Sequence, residues 1–239
     1  MSPSKLYLFK VKRYRPNLDD RPFWQSYEIS LSSFDRVLDG LIKIQDQLDP
    51  TLAFRKSCAH GICGSCAMKI NGVNRLACQT LVKDLPTLIE IEPLPKLPII
   101  KDLVVDMSPF FEKYEKILPY LINNEPPPER ERIQNPNDQE KILEAITCIQ
   151  CGCCTTSCPT FWTNDKYLGP SSLLKAYRFI YDNRDNASLE RLQKIIDEMG
   201  LLHCHLALNC LKACPKGINI PAHIIKLKKF ALKKALRRK

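Results

Sequence analysis

The order of apolar and polar residues divides the chain into a strand-rich first part and a helical second part. Strands are predicted at 5–14, at 25–31, on both sides of the turn pair Asn71-Gly72, and at 88–92. Apolar and polar residues alternate clearly at 25–31 and at 88–92, which predicts one buried face. Between these strands, residues 35–49 have apolar side chains at helical spacing, and Ser32 and Asp35 are placed to cap that helix. We expect a small sheet crossed by one helix.

Helical spacing takes over beyond residue 105. Apolar residues from Met107 to Leu121 recur every three or four positions, with Ser108-Pro109 as a start signal. Further helical patterns cover 138–147, 170–183 and 188–199. The predicted fold class is therefore α+β, with two domains at 1–105 and 106–239.

Cysteine content sets the chemistry to be explained. The chain has 12 cysteines among 239 residues, and disulfides, zinc and iron–sulfur clusters are the competing reasons for so many. Residues 1–14 contain no apolar export segment, so we do not expect the oxidising compartment that disulfides require. The cysteines are accordingly predicted to be metal ligands.

Positive charge is concentrated at the end of the chain. The formal net charge is +10, and residues 226–239 contain eight Lys or Arg and no acid, which leaves +2 for the remainder. A nucleic-acid groove would need basic residues spread over a folded surface, and none is predicted. The tail can rest on anionic headgroups or on a membrane-anchor subunit, or it can be a solvated basic helix. No run of about 18 apolar residues predicts a membrane span.

The first cysteine group has the opening spacing of a plant-type ferredoxin. Four residues separate Cys58 from Cys63, two separate Cys63 from Cys66, and Cys78 follows the predicted hairpin. Two irons of a 2Fe–2S cluster need four thiolates, and a short loop can supply three of them. The two glycines of this loop let backbone N–H groups approach the sulfurs. A zinc site or buried free thiols are the alternatives.

The second group has the spacing of a bacterial ferredoxin. Cys148, Cys151, Cys154 and Cys158 are separated by two, two and three residues, and Pro159 follows directly. Zinc folds usually contribute widely separated pairs instead. Because the fourth cysteine of this motif binds the other cluster of a pair, a second run is expected.

The third group supplies that second run and lacks one ligand. Cys204, Cys210 and Cys214 fit the same template, which also requires a cysteine at the position of Ala207. Exchanging the fourth ligands gives one complete 4Fe–4S site from four cysteines: Cys148, Cys151, Cys154 and Cys214. The other site keeps Cys158, Cys204 and Cys210, three thiolates suited to a 3Fe–4S cluster. A 4Fe–4S cluster with one open iron is the alternative.

Two residues near the ligands do not fit the template. His60 lies inside the first loop, where four cysteines already complete the ligand set, so we expect it beside the cluster or in solvent. Cys153 is out of frame for both other sites and is predicted to be a packed thiol.

The chain has no dinucleotide-binding glycine motif, Walker loop or hydrolytic triad. It is therefore predicted to conduct electrons, with no catalytic residues of its own.

Five stretches together resemble the iron–sulfur subunit of succinate dehydrogenase: Cys58–Met68, Lys101–Asp106, Cys148–Pro159, Leu168–Pro170 and Cys204–Gly217. The resemblance covers nearly the whole chain. It implies a plant-type ferredoxin (β-grasp) domain followed by an all-α bacterial-ferredoxin-like domain. It also implies a place in respiratory complex II, where electrons pass from the FAD of a flavoprotein subunit through 2Fe–2S, 4Fe–4S and 3Fe–4S clusters to quinone.

The resemblance further implies a quinone site beside the 3Fe–4S cluster. Pro159 and Thr160 match the border of the family's pocket, and His205 matches a histidine beside a cluster ligand. An ordinary surface histidine is the alternative for His205. Trp162 stands alone where many members have two consecutive tryptophans. It either fills the quinone-binding role or leaves that wall to a partner subunit.

Partners and location follow from the same resemblance. Two membrane-anchor subunits, with or without haem b, would hold the chain peripherally on an energy-transducing membrane. The side would be the matrix face of the mitochondrial inner membrane or the cytoplasmic face of a bacterial membrane.

Two rival functions use the same observations. Fumarate reductase has the same clusters and the opposite net reaction, and Gly64–Met68 and Cys158–Trp162 favour the succinate side. Flux direction itself is not fixed by sequence. A zinc-stabilised nucleic-acid-binding protein with a basic tail would contain zinc and no iron, and the charge distribution argues against it.

Overall fold

The computed structural model describes residues 4–196 and 200–236. Contacts between residues divide the chain into two compact units, each described by itself. The first unit is Met1–Met107 with Ile149–Ser157, and the second is Ser108–Cys148 with Cys158–Lys239. The predicted division at residue 105 did not anticipate that the segment Ile149–Ser157 groups with the first unit.

A five-stranded mixed sheet with one helix forms the body of the first unit. Its elements follow one another as β1 (Ser4–Arg13), β2 (Phe23–Ser32), α1 (Val37–Gln47), β3 (Ala67–Ile70), β4 (Val73–Leu76) and β5 (Leu88–Glu92). The order across the sheet is β2-β1-β5-β3-β4, with β1 parallel to β5 and all other neighbours antiparallel. A second, two-stranded sheet pairs β6 (Ile99–Lys101) with β7 (Val104–Val105). All the predicted strands are present.

Helix α1 packs its apolar stripe onto the sheet. Val37, Leu41 and Ile44 are fully buried, as their helical spacing requires. A Cβ atom at Gly40 would lie 2.5 Å from Cζ of Phe9 on β1, so only glycine permits this approach of helix to sheet.

The helix begins two residues later than the sequence suggests. The carboxylate of Asp35 accepts a hydrogen bond from the Ser32 amide at 2.8 Å and so closes the turn after β2. Arg36 is the N-cap instead, and its amide donates to the side chain of Asp39 at 2.8 Å. The prediction of Ser32 and Asp35 as the cap was therefore wrong, because both residues belong to the preceding turn.

The remaining helices begin and end as follows: α2 (Ser108–Glu115), α3 (Pro136–Ile146), α4 (Cys153–Thr156), α5 (Pro159–Thr163), α6 (Pro170–Ile180), α7 (Ser188–Ile196), α8 (Asn209–Ala213) and α9 (Ile220–Leu236). Helix α4 belongs to the first unit and the others to the second. In the second unit, α6 is buried on nearly every side and packs against α2, α3, α7 and α9. The last residues of the helix predicted at 188–199 lie outside the described residues.

A buried arginine explains why α2 is shorter than its apolar pattern. Arg191 on α7 is fully buried and donates to the carbonyl oxygens of Ile117, Leu118 and Tyr120 at 3.0–3.2 Å. Its charge is balanced by Asp185, whose carboxylate accepts two further bonds at 2.7 and 3.1 Å. The backbone leaves the helical conformation at Leu118, whose φ is 52, and Arg191 supplies donors to carbonyl oxygens that lack helical N–H partners. The prediction of helix as far as residue 121 was wrong.

A second buried arginine ties the first unit together. Arg13 at the end of β1 donates to Asp102 at 2.9 Å, to Asp49 at 2.5 Å and to Thr51 at 3.0 Å, and it also contacts the Tyr27 hydroxyl. Burial alone would raise the pKa of Asp49. Hydrogen bonds from Thr51, Tyr27 and Arg13 outweigh burial and hold that pKa well below its usual range.

We expect Asp102→Ala to destabilise the first unit by about 3–5 kcal/mol, because the mutation breaks a fully buried ion pair and leaves Arg13 with Asp49 alone. Asp102 also accepts the backbone amides of Tyr14 and Ala53 at 2.9 Å, and both would lose their acceptor. Guanidinium unfolding of the full chain, followed by circular dichroism, measures the loss. Asp84→Ala, on an exposed residue, is the control and should change stability by less than about 0.5 kcal/mol. Equal effects of the two mutations would contradict this account.

Candidate iron–sulfur centres

The β3–β4 hairpin brings the fourth cysteine of the first group back to the other three. Cys58, Cys63 and Cys66 lie in the irregular loop before β3, and Cys78 lies in a single 3-10 turn directly after β4. The Cys78 amide donates to Sγ of Cys66 at 3.5 Å. The hairpin therefore brings Cys78 next to the loop, as the sequence predicts.

Backbone N–H groups stabilise negative charge on the first of these sulfurs. The amides of Ile62 and Cys63 lie 3.4 and 3.3 Å from Sγ of Cys58. Together with the His60 amide, the strongest of the three, they lower the pKa of Cys58 to about 6. Gly61 precedes these donors with φ 78, a left-handed conformation that glycine adopts without strain.

Through its side chain, His60 contacts the backbone of the cysteine loop. Its side chain is exposed, and Nδ1 contacts the carbonyl oxygen of Cys58. The ring therefore braces the backbone of the loop.

The four thiols of the first group form one connected set. Burial, and then the neighbouring sulfurs of Cys78 and Cys63, raise the pKa of Cys66 to about 12. Cys58 in turn interacts with Cys63. Among the described residues, no three His, Cys, Asp or Glu side chains surround a point that would hold one metal ion; here the sulfur donors extend over four positions. Thiolates gathered in this way repel one another unless iron compensates them, so the donor set fits a 2Fe–2S cluster.

The segment Ile149–Ser157 packs directly on this loop. A Cβ atom at Gly64 (φ 72) would lie 2.9 Å from Cβ of Cys151 and 3.2 Å from the carbonyl oxygen of Ile149. On the other side of the segment, a Cβ at Gly152 would lie 3.3 Å from Cε of Met107. The predicted ligand Cys151 is therefore in van der Waals reach of the first cysteine loop.

A buried asparagine fastens the same segment to the sheet. Asn74 on β4 donates from Nδ2 to the carbonyl oxygen of Cys153 at 3.2 Å and to Oγ1 of Thr156 at 2.8 Å. Nothing in the sequence pattern distinguished Asn74, since its partners are 79 and 82 residues away along the chain.

Cys153 is a core residue that also changes the pKa of Cys151. It is fully buried, as predicted for a packed thiol. Hydrogen bonds from its side chain, and to a lesser extent from its amide, lower the pKa of Cys151 against the opposing effect of burial. Cys153 thus favours the thiolate form of its neighbour.

The other cysteines assigned to the complete 4Fe–4S site are distributed along the chain as follows. Cys154 is buried in α4 of the first unit. Cys148 and Cys214 are half-buried residues of the second unit, the latter at the end of α8. The joint assignment of Cys148, Cys151, Cys154 and Cys214 stays a prediction from their spacing.

The second unit brings the three cysteines of the incomplete site together. Cys158 is the N-cap of α5, Cys204 follows a 3-10 turn, and Cys210 lies in α8. Burial, followed by the sulfurs of Cys158 and Cys204, raises the pKa of Cys210 to about 12. Three neighbouring thiols, one of them buried and two half-buried, fit a cluster that supplies positive charge.

Ala207 is exposed and lies in the irregular segment between Cys204 and Cys210. The residues on either side, Leu206 and Leu208, have φ of 56 and 63, a left-handed conformation that is uncommon for leucine. Ala207 has no side-chain donor atom. The template position that would carry a fourth thiolate therefore offers only a methyl group.

Tyr167 lies against the same three cysteines and was not singled out from the sequence. Its side chain is fully buried. Burial, and then the sulfurs of Cys204, Cys158 and Cys210, raise its pKa far above the usual range. Tyr167 directly follows the polar stretch from Thr163 to Lys166, which gives no sign of burial. Only the fold shows which side chains its hydroxyl meets.

The predicted quinone residues lie next to this group in the second unit. Pro159, Thr160 and Trp162 are on α5, directly after Cys158, and Trp162 is 41% exposed. His205 is exposed and adjoins a predicted ligand in sequence. Their role in quinone binding stays a prediction.

Both halves of the chain match known iron–sulfur domains. Residues 8–112 match the 2Fe–2S iron–sulfur cluster binding domain, and residues 147–219 match the 4Fe–4S dicluster domain. The succinate dehydrogenase iron–sulfur subunit of Coxiella burnetii is 41% identical over 220 residues, covering 91% of this chain and 93% of the relative. This chain belongs to the succinate dehydrogenase iron–sulfur subunit family. The predicted fold class and electron-transfer function are thereby confirmed.

Solved structures agree with the family assignment. A chain of the Mycobacterium smegmatis Sdh1 complex in the apo form superposes with a TM-score of 0.85 at 25% identity, covering 97% of this chain and 98% of that one. A hypothetical protein from Helicobacter pylori shares the fold with a TM-score of 0.60 at 21% identity, covering 94% of this chain and 39% of that one. As a member of the succinate dehydrogenase iron–sulfur subunit family, the chain is an electron-transfer subunit of an oxidoreductase.

We expect Asn74→Asp to loosen the segment Ile149–Ser157. The mutation keeps the shape of the side chain, but it replaces both donated hydrogen bonds with an acceptor facing a carbonyl oxygen, at a cost of about 1–3 kcal/mol. Hydrogen exchange of the amides at 153–157 should accelerate about tenfold or more. Arg75→Gln, the next residue of β4, points to the opposite face and is the control. Unchanged exchange in Asn74→Asp would show that the segment is held by other contacts.

Proposed function

We propose that this chain carries electrons from the FAD of a flavoprotein partner through 2Fe–2S, 4Fe–4S and 3Fe–4S clusters to quinone. The observation that carries the proposal is the group of Cys158, Cys204 and Cys210, of which Cys210 is buried and the other two are half-buried, with Ala207 at the template's fourth position. A terminal cluster limited to three thiolates distinguishes this relay from an ordinary ferredoxin with two complete sites.

The proposed ligands follow the cysteine template. Cys58, Cys63, Cys66 and Cys78 hold the 2Fe–2S cluster. Cys148, Cys151, Cys154 and Cys214 hold the 4Fe–4S cluster. Cys158, Cys204 and Cys210 hold the 3Fe–4S cluster.

The clusters supply sites that gain and lose single electrons, and the protein tunes those sites. Amides of Ile62 and Cys63 donate to Cys58, and such donors stabilise the more negative, reduced state. The buried settings of Cys66 and Cys210 exclude water and so disfavour added charge. The balance of these two effects sets the order in which electrons move.

We further propose that quinone binds beside Cys158 and Cys204, at Pro159, Thr160, Trp162 and His205. The same stretch of chain has four exposed leucines that would meet apolar membrane-anchor subunits: Leu202, Leu206, Leu208 and Leu211. Docking through two such anchors, whose haem b content is left open, would make the chain a peripheral membrane subunit. Within residues 4–196 and 200–236, no helix is long and apolar enough to cross a membrane.

The basic tail is compatible with this placement. Helix α9 has exposed Leu232 and Leu236 among its lysines, as a helix lying on anionic headgroups or on an anchor would. A solvated basic helix has the same pattern. Arg237, Arg238 and Lys239 lie outside the described residues.

Purification of the native complex tests the proposal directly. We expect iron and acid-labile sulfide in the proportions of three clusters, succinate:quinone oxidoreductase activity, and a 3Fe–4S electron paramagnetic resonance signal in the oxidised sample. A colourless protein with bound zinc would support the nucleic-acid-binding rival. Absence of the 3Fe–4S signal from an intact, anaerobically prepared complex would refute the assignment of the third site.

Ala207→Cys tests the vacant ligand position. The new thiolate should bind a fourth iron, so the oxidised 3Fe–4S signal should be lost and a reducible 4Fe–4S signal gained in most of the molecules. Ala207→Val, which adds bulk but no ligand, is the control and should keep the 3Fe–4S signal. If Ala207→Cys also keeps the 3Fe–4S signal at full intensity, residue 207 does not occupy the position of the fourth ligand.

A further inference from the structure

The hydroxyl of Tyr167 is buried without a hydrogen-bond partner that the fold itself provides. The side chain is 0% exposed, and no protein group in the described residues pairs with the hydroxyl at hydrogen-bonding geometry. Leaving such a donor unpaired costs free energy. A phenylalanine at this position would avoid the cost, so the hydroxyl requires a reason.

Neighbouring contacts hold Tyr167 firmly in this position. Its carbonyl oxygen accepts a hydrogen bond from Nζ of Lys113 at 3.0 Å, and its amide donates to the carbonyl oxygen of Asn164 at 3.1 Å. Lys113 also contacts the carbonyl oxygen of Asp165 and lies 4.8 Å from the ring centre of Phe161. The backbone on both sides of the tyrosine is therefore pinned, and the ring has no solvent to turn towards.

The groups that the hydroxyl meets are sulfurs. Cys204, Cys158 and Cys210 lie near enough to the hydroxyl to raise its pKa, and Cys204 has the largest effect of the three. These are the three proposed ligands of the incomplete cluster. Sulfur atoms of a cluster and of its thiolate ligands accept hydrogen bonds, and the number of such bonds is one determinant of reduction potential.

We propose that the Tyr167 hydroxyl donates a hydrogen bond to sulfur at the 3Fe–4S centre and thereby raises its reduction potential. The inference rests on the proposed function, because it takes the cluster of Cys158, Cys204 and Cys210 as given. Tyr167 is a positioning residue in this scheme: it gains or loses neither electron nor proton.

The direction of the effect follows from charge. Uptake of one electron adds one negative charge to the iron–sulfur unit, and the O–H dipole interacts more favourably with the reduced form than with the oxidised form. The hydroxyl keeps its proton throughout. Removing the hydroxyl therefore disfavours reduction and leaves electron count and ligands unchanged.

Tyr167→Phe in the intact complex tests the inference. The variant keeps the buried ring and should assemble with the wild-type amount of 3Fe–4S signal per complex. In a redox titration followed by electron paramagnetic resonance, the equilibrium constant for reduction should fall about three- to tenfold, where tenfold corresponds to about 59 mV for one electron. A midpoint potential that is unchanged or higher would overturn the inference.

Tyr181→Phe is the matched control. It removes a hydroxyl in the same unit that donates to the carbonyl oxygen of Lys226 at 3.2 Å, and no cysteine acts on it. Its 3Fe–4S potential should equal that of the wild type. An equal shift in both variants would show a general effect of lost hydroxyls and would also overturn the inference.

A spectroscopic measurement separates donation from packing. Electron–nuclear double resonance of the oxidised wild-type complex should show a proton that couples to the cluster and is lost after exchange into deuterated water. Tyr167→Phe should lack this proton. Its persistence in the variant would refute donation by Tyr167. Absence of any 3Fe–4S signal from the wild type would instead refute the proposed function, so the two failures are distinguishable.

Discussion

Cys66 and Cys210 are buried beside other thiols, and in each case burial and neighbouring sulfur raise the pKa to about 12. Negative charge gathered in low dielectric is unfavourable unless a cation compensates it. Iron inside a cluster would provide that compensation at these cysteines, and its binding free energy would then be coupled to folding of the loops. The loops and helices around these cysteines must therefore hold several sulfurs close together.

The cysteine loops have little regular structure of their own, and each unit is held together by other groups. In the first unit, the hairpin of β3 and β4 sets the position of Cys78, and Arg13 joins the end of β1 to two buried or half-buried carboxylates. In the second unit, Arg191 holds three carbonyl oxygens of the chain after α2. Both arginines are buried and paired, so removing a partner costs far more than removing a surface charge.

Electron transfer requires short separations between centres, and in the first unit the predicted ligand Cys151 packs against the first cysteine loop. Gly64 lies so close to Cys151 that a side chain there would clash, and Asn74 fastens the carbonyl oxygen of Cys153. Because Ile149–Ser157 belongs to the same compact unit as the loop of Cys58 to Cys66, the separation between their sulfurs does not depend on motion between the units.

The five strands of the main sheet, most of the helices and the spacing of the three cysteine groups, with Ala207 at one template position, could be predicted from the sequence. These features are local: alternation, helical spacing and ligand spacing are all read within a few tens of residues. Three features could be seen only in the folded structure: the length of α2, the attachment of Ile149–Ser157 to the first unit and the neighbours of Tyr167. Each of those depends on a partner far away in the chain, such as Arg191, Asn74 or Cys204. A buried polar group shows its purpose only once the fold has brought its partner within hydrogen-bonding distance.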